Sequence, residues 1–155
     1  MHLTDELSNY DKERIVFVGL GNEYRGDDAA GIEFVKRIKL RKEFQKSHFI
    51  LAGRNPENYL EQIISYKPKL VVFVDAVYSS SNPGDVKFFT EKEIEETDFS
   101  THAFSIKMIR DYLLNVRKMD FLFIGIQPLS TNLNEKISET LKSKLDEFFD
   151  VRFRS

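Results

Sequence analysis

The chain has 155 residues, of which 41% are hydrophobic and 14 are phenylalanine. That is one domain's length with enough apolar surface to offset the ordering entropy, which excludes a disordered chain. The 23 Lys and Arg nearly balance 25 Asp and Glu, for a net charge of −2, so no basic excess exists to neutralise phosphates and the composition argues against a nucleic-acid partner. The chain has no cysteine, which removes disulfides, thiolate metal sites and cysteine nucleophiles. No apolar run approaches the roughly 18 residues of a membrane span, so no membrane partner is expected.

Residues 1–13 are polar and mixed in charge, the wrong pattern for a signal peptide. They read as a polar lead, a short helix or a frayed end, before a single domain over 14–155, and the expected location is the cytoplasm. Arg14 to Leu20 is an unbroken apolar run rich in β-branched residues. Residues 29–40 then carry Ala30, Phe34, Val35 and Ile38 on one helical stripe. His48 to Ala52 is a weaker strand. Asn55 reads as a cap and Pro56 as a first helical residue, with Leu60, Ile63 and Ile64 following and Pro68 ending the segment. Leu70 to Val77 is a second unbroken apolar run. Asn82-Pro83-Gly84 is a turn signal, and Asp85 to Phe89 after it suits an edge strand or returning hairpin arm. Residues 102–116 place Phe104, Met108, Ile109, Tyr112, Leu113 and Val116 at helical spacing. Phe121 to Ile126 is a third apolar run, and residues 135–149 place Ile137, Leu141, Leu145 and Phe148 on a last helix. Unbroken runs suit strands covered on both faces. The alternation predicts an α/β three-layer domain, a mostly parallel twisted sheet of about five strands with helices on both faces.

In open α/β sheets ligands bind beyond the carboxyl ends of the strands, so the residues that follow each strand are the ones to inspect. Asp75 is the one carboxylate in an otherwise apolar run; it must lie at the open end of the strand or have a partner. Asp27 and Asp28 precede a helix. One of them can cap it, but the second is not explained that way, and a nearby cation would relieve the repulsion between the two. His102 follows Ser100 and Thr101, which can cap the helix that begins there. The dipole at that end disfavours protonation, so a neutral imidazole is expected. Two carboxylates and one imidazole at one end of a sheet could form a cation site with coordination left open, a ligand mix that suits zinc, nickel or manganese without choosing between them. Gly19, Gly21 and Gly26 do not fit the dinucleotide spacing, because Tyr24 stands where the third glycine belongs. Ser79, Ser80 and Ser81 lie in a loop, with no nucleophile-elbow motif in the chain.

Gly19-Leu20-Gly21-Asn22, then four residues, then Asp27-Asp28-Ala29-Ala30-Gly31, resembles the opening signature of the hydrogenase maturation endopeptidases. Val72 to Val77 is similar to that family's second motif, Ser100-Thr101-His102 to its histidine motif, and Gly125-Ile126-Gln127-Pro128 to its late G-I-Q-P; Asn55-Pro56-Glu57-Asn58-Tyr59 is family-like too. The resemblance spans residues 14–149. It departs from the pattern in the polar lead before Arg14 and in Leu129-Ser130, where many relatives place an acidic residue.

The resemblance implies an aspartic-type endopeptidase that removes the C-terminal extension of a nickel-iron hydrogenase large-subunit precursor after nickel insertion, with the bound nickel as recognition element. It carries the family's metal-contacting and catalytic positions onto Asp28, Asp75 and His102. The ion implied is the precursor's own nickel, for which zinc or cadmium can stand in, and no organic cofactor is implied. The residues alone leave open a non-catalytic nickel-binding accessory protein and, further off, a nucleotide-binding α/β enzyme.

Overall fold

The computed structural model describes residues 3–96 and 102–152. The strands in chain order are β1 (Ile15–Leu20), β2 (His48–Gly53), β3 (Leu70–Ala76), β4 (Val86–Phe89) and β5 (Asp120–Ile126). The α-helices are α1 (Leu3–Leu7), α2 (Ala30–Lys39), α3 (Leu60–Ser65), α4 (Glu91–Glu96), α5 (Ala103–Val116) and α6 (Glu139–Arg152). The sheet order is β2-β1-β3-β5-β4, parallel throughout except that β4 runs antiparallel to β5. The three unbroken apolar runs are the three central strands, almost wholly buried, and the weaker segments are the edges. This is the expected α/β three-layer architecture.

Strand alternation sorts the core into two halves. Leu70, Val72 and Val74 pack with Phe17, Phe34 and Leu145 under α1, α2 and α6. Val71 and Phe73 pack with Ile63, Ile106 and Leu113 under α3 and α5. The same parity assigns Asp75 to the α3 and α5 face. From β1 the chain passes to β2 on one side and then crosses to β3 on the other. That reversal opens a crevice beyond the carboxyl ends of β1 and β3.

Helix α2 reaches this crevice because Gly31 has no side chain. A Cβ there would overlap the carbonyl oxygens of Leu20 and Val74. Gly31→Ala is expected to cost about 3 kcal/mol of unfolding free energy through overpacking, which urea denaturation would measure.

Three local expectations are corrected and one alternative is decided. Asn55 makes no cap bond: residues Pro56–Tyr59 form a 3-10 turn ahead of α3, and the Asn55 amide donates instead to Glu57 Oε1 at 3.2 Å. Helix α5 buries Ala103, Ile106, Ile109 and Leu113, whereas Phe104, Met108, Tyr112 and Val116 from the expected stripe are exposed; the helix is apolar on two faces, and the sheet takes only one. In α6 the aromatic buried beside Leu141 and Leu145 is Phe149, with Phe148 partly buried, and Ile137 precedes the helix. The residues before β1 form the short helix rather than a frayed end, with Leu3 and Leu7 fully buried. No helix among the described residues is long and apolar enough to cross a membrane.

Candidate functional site

The loop after β1 is held by bonds from its backbone N–H groups to its own side chains. Gly21 takes a φ of +132° and lies against the Asp28 carbonyl, where no side chain fits. The Asn22 N–H donates to Asp28 Oδ2 at 2.9 Å, and Asn22 Oδ1 accepts the Tyr24 N–H at 2.9 Å. That second bond is the Asx-type turn by which an asparagine fixes a loop. Asn22 therefore positions the loop through its side chain, as its place after the strand allowed.

The two adjacent aspartates divide the work. Asp27 is fully buried. Its Oδ1 accepts the Ser138 N–H at 2.7 Å, and its Oδ2 accepts the Leu129 N–H at 2.8 Å, the Ser138 hydroxyl at 2.9 Å and the Ser130 N–H at 3.3 Å. One carboxylate thus pins residues 129–138 to the β1 loop. Asp28 is half-buried, and its charge is felt at Asp75 and His102. Neither fills the expected cap role: both lie inside the 3-10 turn Gly26–Ala29, and α2 starts after it with no side-chain cap.

Asp75 is fully buried at the end of β3. Its Oδ1 accepts the Ala76 N–H at 2.8 Å, and its Oδ2 lies 2.7 Å from His102 Nδ1. His102 sits at the entrance of α5 with its side chain 13% exposed. With Asp75 ionised, Nδ1 donates the proton and the neutral ring carries its lone pair on Nε2. A carboxylate behind a histidine in this way orients the imidazole and raises its basicity toward a metal.

Burial lifts the Asp75 carboxyl above the usual carboxylate range; the bond and charge of His102 pull it back, while the charge of Asp28 adds to the lift. The hydrogen bond to Asp75 raises the His102 imidazole above its ordinary value, burial opposes this, and the charges of Asp75, Asp28 and Glu57 reinforce it. The helix end alone would lower the imidazole pKa; the carboxylates around His102 act in the opposite direction.

Asp28, Asp75 and His102 therefore share one end of the sheet, two of them hydrogen-bonded and the third coupled to both through its charge. They are not a ready-built metal cage: among the described residues, no three His, Asp or Glu side chains are gathered closely enough to hold an ion. Ser100 and Thr101, expected to cap α5, lie outside the described residues. Ser79 has its hydroxyl 2.9 Å from that of Ser81 and is held by Gln127 Oε1, which accepts the Ser79 N–H at 2.7 Å. Gln127 is the polar residue of G-I-Q-P, and sequence reasoning missed this clamping role; a buried glutamine at a strand end is the signal. The charge of Glu57 on His102 was also missed, and nothing in its spacing signals it.

A cavity of about 460 Å³ lies at the opposite end of the sheet beside Tyr10, Arg14, Lys69 and Lys118. Two smaller ones flank the site: 350 Å³ beside Asn22, Tyr24 and Arg54, and 320 Å³ along α5.

Comparison with known proteins converges on one family. The hydrogenase maturation protease family model (HycI) matches residues 32–152, a span that begins just after the loop carrying Asp28. A putative hydrogenase maturation protease of Methanocaldococcus jannaschii is 34% identical over 133 residues, 81% of this chain and 78% of that protein. Hydrogenase 3 maturation protease of Escherichia coli K12 is 25% identical, over 86% of this chain and 85% of its own. Among solved structures, the [NiFe] hydrogenase maturation protease HycI of Thermococcus kodakarensis KOD1 superposes with a TM-score of 0.77 at 32% identity, covering 90% of this chain and 89% of that one. The hydrogenase maturating endopeptidase HybD of E. coli shares the fold, with a TM-score of 0.72 at 16% identity over 89% and 88% of the two chains.

Proposed function

The chain belongs to the hydrogenase maturation protease family, and from that premise we propose that it removes the C-terminal extension of a nickel-iron hydrogenase large-subunit precursor, in the cytoplasm, after nickel insertion. In this reading the precursor's own nickel is the recognition element. The observation that carries it is the buried Asp75–His102 pair, with the Asp28 carboxylate beside it at the mouth of β1 and β3.

Nickel arrives as part of the substrate, so the protein has no need to hold it beforehand. An imidazole and two carboxylates supply nitrogen and oxygen donors and more than enough negative charge for a divalent cation. Asp28 and His102 face the ion from two loops. Asp75 Oδ2 is bonded to His102 Nδ1 in the structure, so its own approach to nickel competes with the proton between them. The seated ion polarises the scissile carbonyl or lowers the pKa of a bound water. The water oxygen bonds to the carbonyl carbon, a carboxylate takes the water proton, and that proton passes to the leaving amide nitrogen as the C–N bond breaks. Asp28 suits the role of base, since Asp75 is fully buried with both oxygens engaged.

The test is to mix the protein with nickel-loaded and nickel-free precursor and to follow loss of the extension by mass spectrometry. Cleavage of the loaded form alone is expected; equal cleavage of both would defeat the role of nickel. Calorimetry with nickel and the protein alone is expected to show weak binding, since the ligand set is incomplete until the precursor brings its own. Tight binding without a peptide product would favour the accessory-protein reading.

A pH dependence follows. The imidazolium form of His102 cannot accept nickel, and its pKa is raised. Processing is therefore expected to fall as pH drops, with a midpoint above the ordinary imidazole value of about 6.5. Asp28→Asn removes one of the charges that raises it, so residual activity in that variant should show a lower midpoint. A kcat/KM profile flat from pH 6 to 9 would contradict this.

A further inference from the structure

A processing enzyme must hold the polypeptide as well as the ion. On α5, Phe104, Met108 and Tyr112 stand at i, i+4 and i+8 and are 75%, 58% and 46% exposed. The helix has already given Ala103, Ile106, Ile109 and Leu113 to the sheet, so this second apolar stripe is surplus to the fold. With Leu60 and Glu57 it lines a groove of about 320 Å³. Two features tie the groove to the site. The stripe begins at Phe104, two residues after His102 on the same helix entrance. Glu57, the charged residue in the groove's lining, sits in the 3-10 turn Pro56–Tyr59, which packs against α5.

Glu57 also sets the character of what binds. Its Oε1 accepts the Asn55 amide, and among the described residues it forms no ion pair, so a cation in the groove would find a carboxylate in its wall. Methionine and aromatic side chains adapt to bulky apolar partners and are enriched where interfaces form. We propose that this groove seats the stretch of precursor polypeptide adjoining the scissile bond, with bulky apolar side chains along Phe104, Met108 and Tyr112 and a cationic side chain against Glu57. The inference rests on the reading of the chain as a protease acting on a hydrogenase precursor.

The test uses immobilised nickel-loaded large-subunit precursor and wild-type, Met108→Glu and Glu57→Lys proteins, with association read by surface plasmon resonance and the extension followed by mass spectrometry. Both substituted residues are exposed, so circular dichroism and thermal midpoints should match wild type. The precursor Kd is expected to weaken at least about tenfold in each variant. A loss of less than about threefold in either variant, or no association of the wild-type protein, overturns the groove. So does sedimentation showing that the wild type is a dimer and Met108→Glu a monomer, since the stripe then seats a second copy. Cleavage separates this from the parent reading. Stripe-dependent binding without cleavage defeats the protease role and leaves the groove; cleavage with stripe-independent binding does the reverse.

Discussion

His102→Ala is expected to reduce processing by about a hundredfold or more and to lower stability by about 3 kcal/mol near pH 8. The two losses have different origins. Processing fails because the imidazole is the one nitrogen donor among the three site residues. Stability falls because Asp75 is fully buried and its Oδ2 is bonded to His102 Nδ1, so the alanine variant leaves a carboxylate without its partner away from water. The sign of the pH effect separates this from simple loss of packing. Without His102 the Asp75 carboxyl is raised by burial with less to oppose it. A raised folded-state pKa contributes stability below the unfolded value that is lost as pH rises through the folded one. The variant should therefore be more stable at pH 5 than at pH 8, and Asp75→Asn added to His102→Ala should restore part of the loss at pH 8. Urea denaturation at the two pH values measures this. A His102→Ala protein with wild-type stability at pH 8 would show that the pair does not hold the charge.

Asp27→Ala should be as damaging while touching nothing that reacts. Four donors, three backbone N–H groups and the Ser138 hydroxyl, converge on that carboxylate. Removing it leaves them short of an acceptor in a buried place, at a cost of about 3 kcal/mol or more. Processing should fall with it, because the β1 loop that presents Asp28 would no longer be tied to residues 129–138. Ser138→Ala removes one of the four donors and is expected to cost about 1 kcal/mol. The ordering of the two variants in chemical denaturation is the check; an Asp27→Ala protein no less stable than Ser138→Ala would refute the clamp.

Much of this was legible in the sequence, and what was not has a common cause. The central strands could be read because burial on both faces forces unbroken apolar runs, as in Val71 to Val74. Asp75 stood out because a lone carboxylate in such a run demands a partner. Periodicity within one segment says nothing about which neighbour arrives across the fold. The split between Asp27 and Asp28 was hidden for that reason: the donors to Asp27 come from residues 129–138, more than a hundred positions away. The raised His102 imidazole was hidden likewise, since local reasoning sees the helix end and not the carboxylate from β3. On α5 two apolar faces compete for one sheet, and only packing decides that Ile106 and Leu113 win over Phe104 and Met108. Family membership rests on similarity over most of the chain, and the shared fold extends to relatives at 16% identity.

In the proposed function Asp28, Asp75 and His102 meet around the precursor's nickel. X-ray absorption at the nickel edge of the loaded precursor, recorded alone and rapidly frozen after mixing with the protein, tests it most directly. New imidazole scattering is expected on mixing with the wild type and is expected to be absent with His102→Ala. A nickel spectrum left unchanged by wild-type protein that goes on to cleave the precursor would contradict the account.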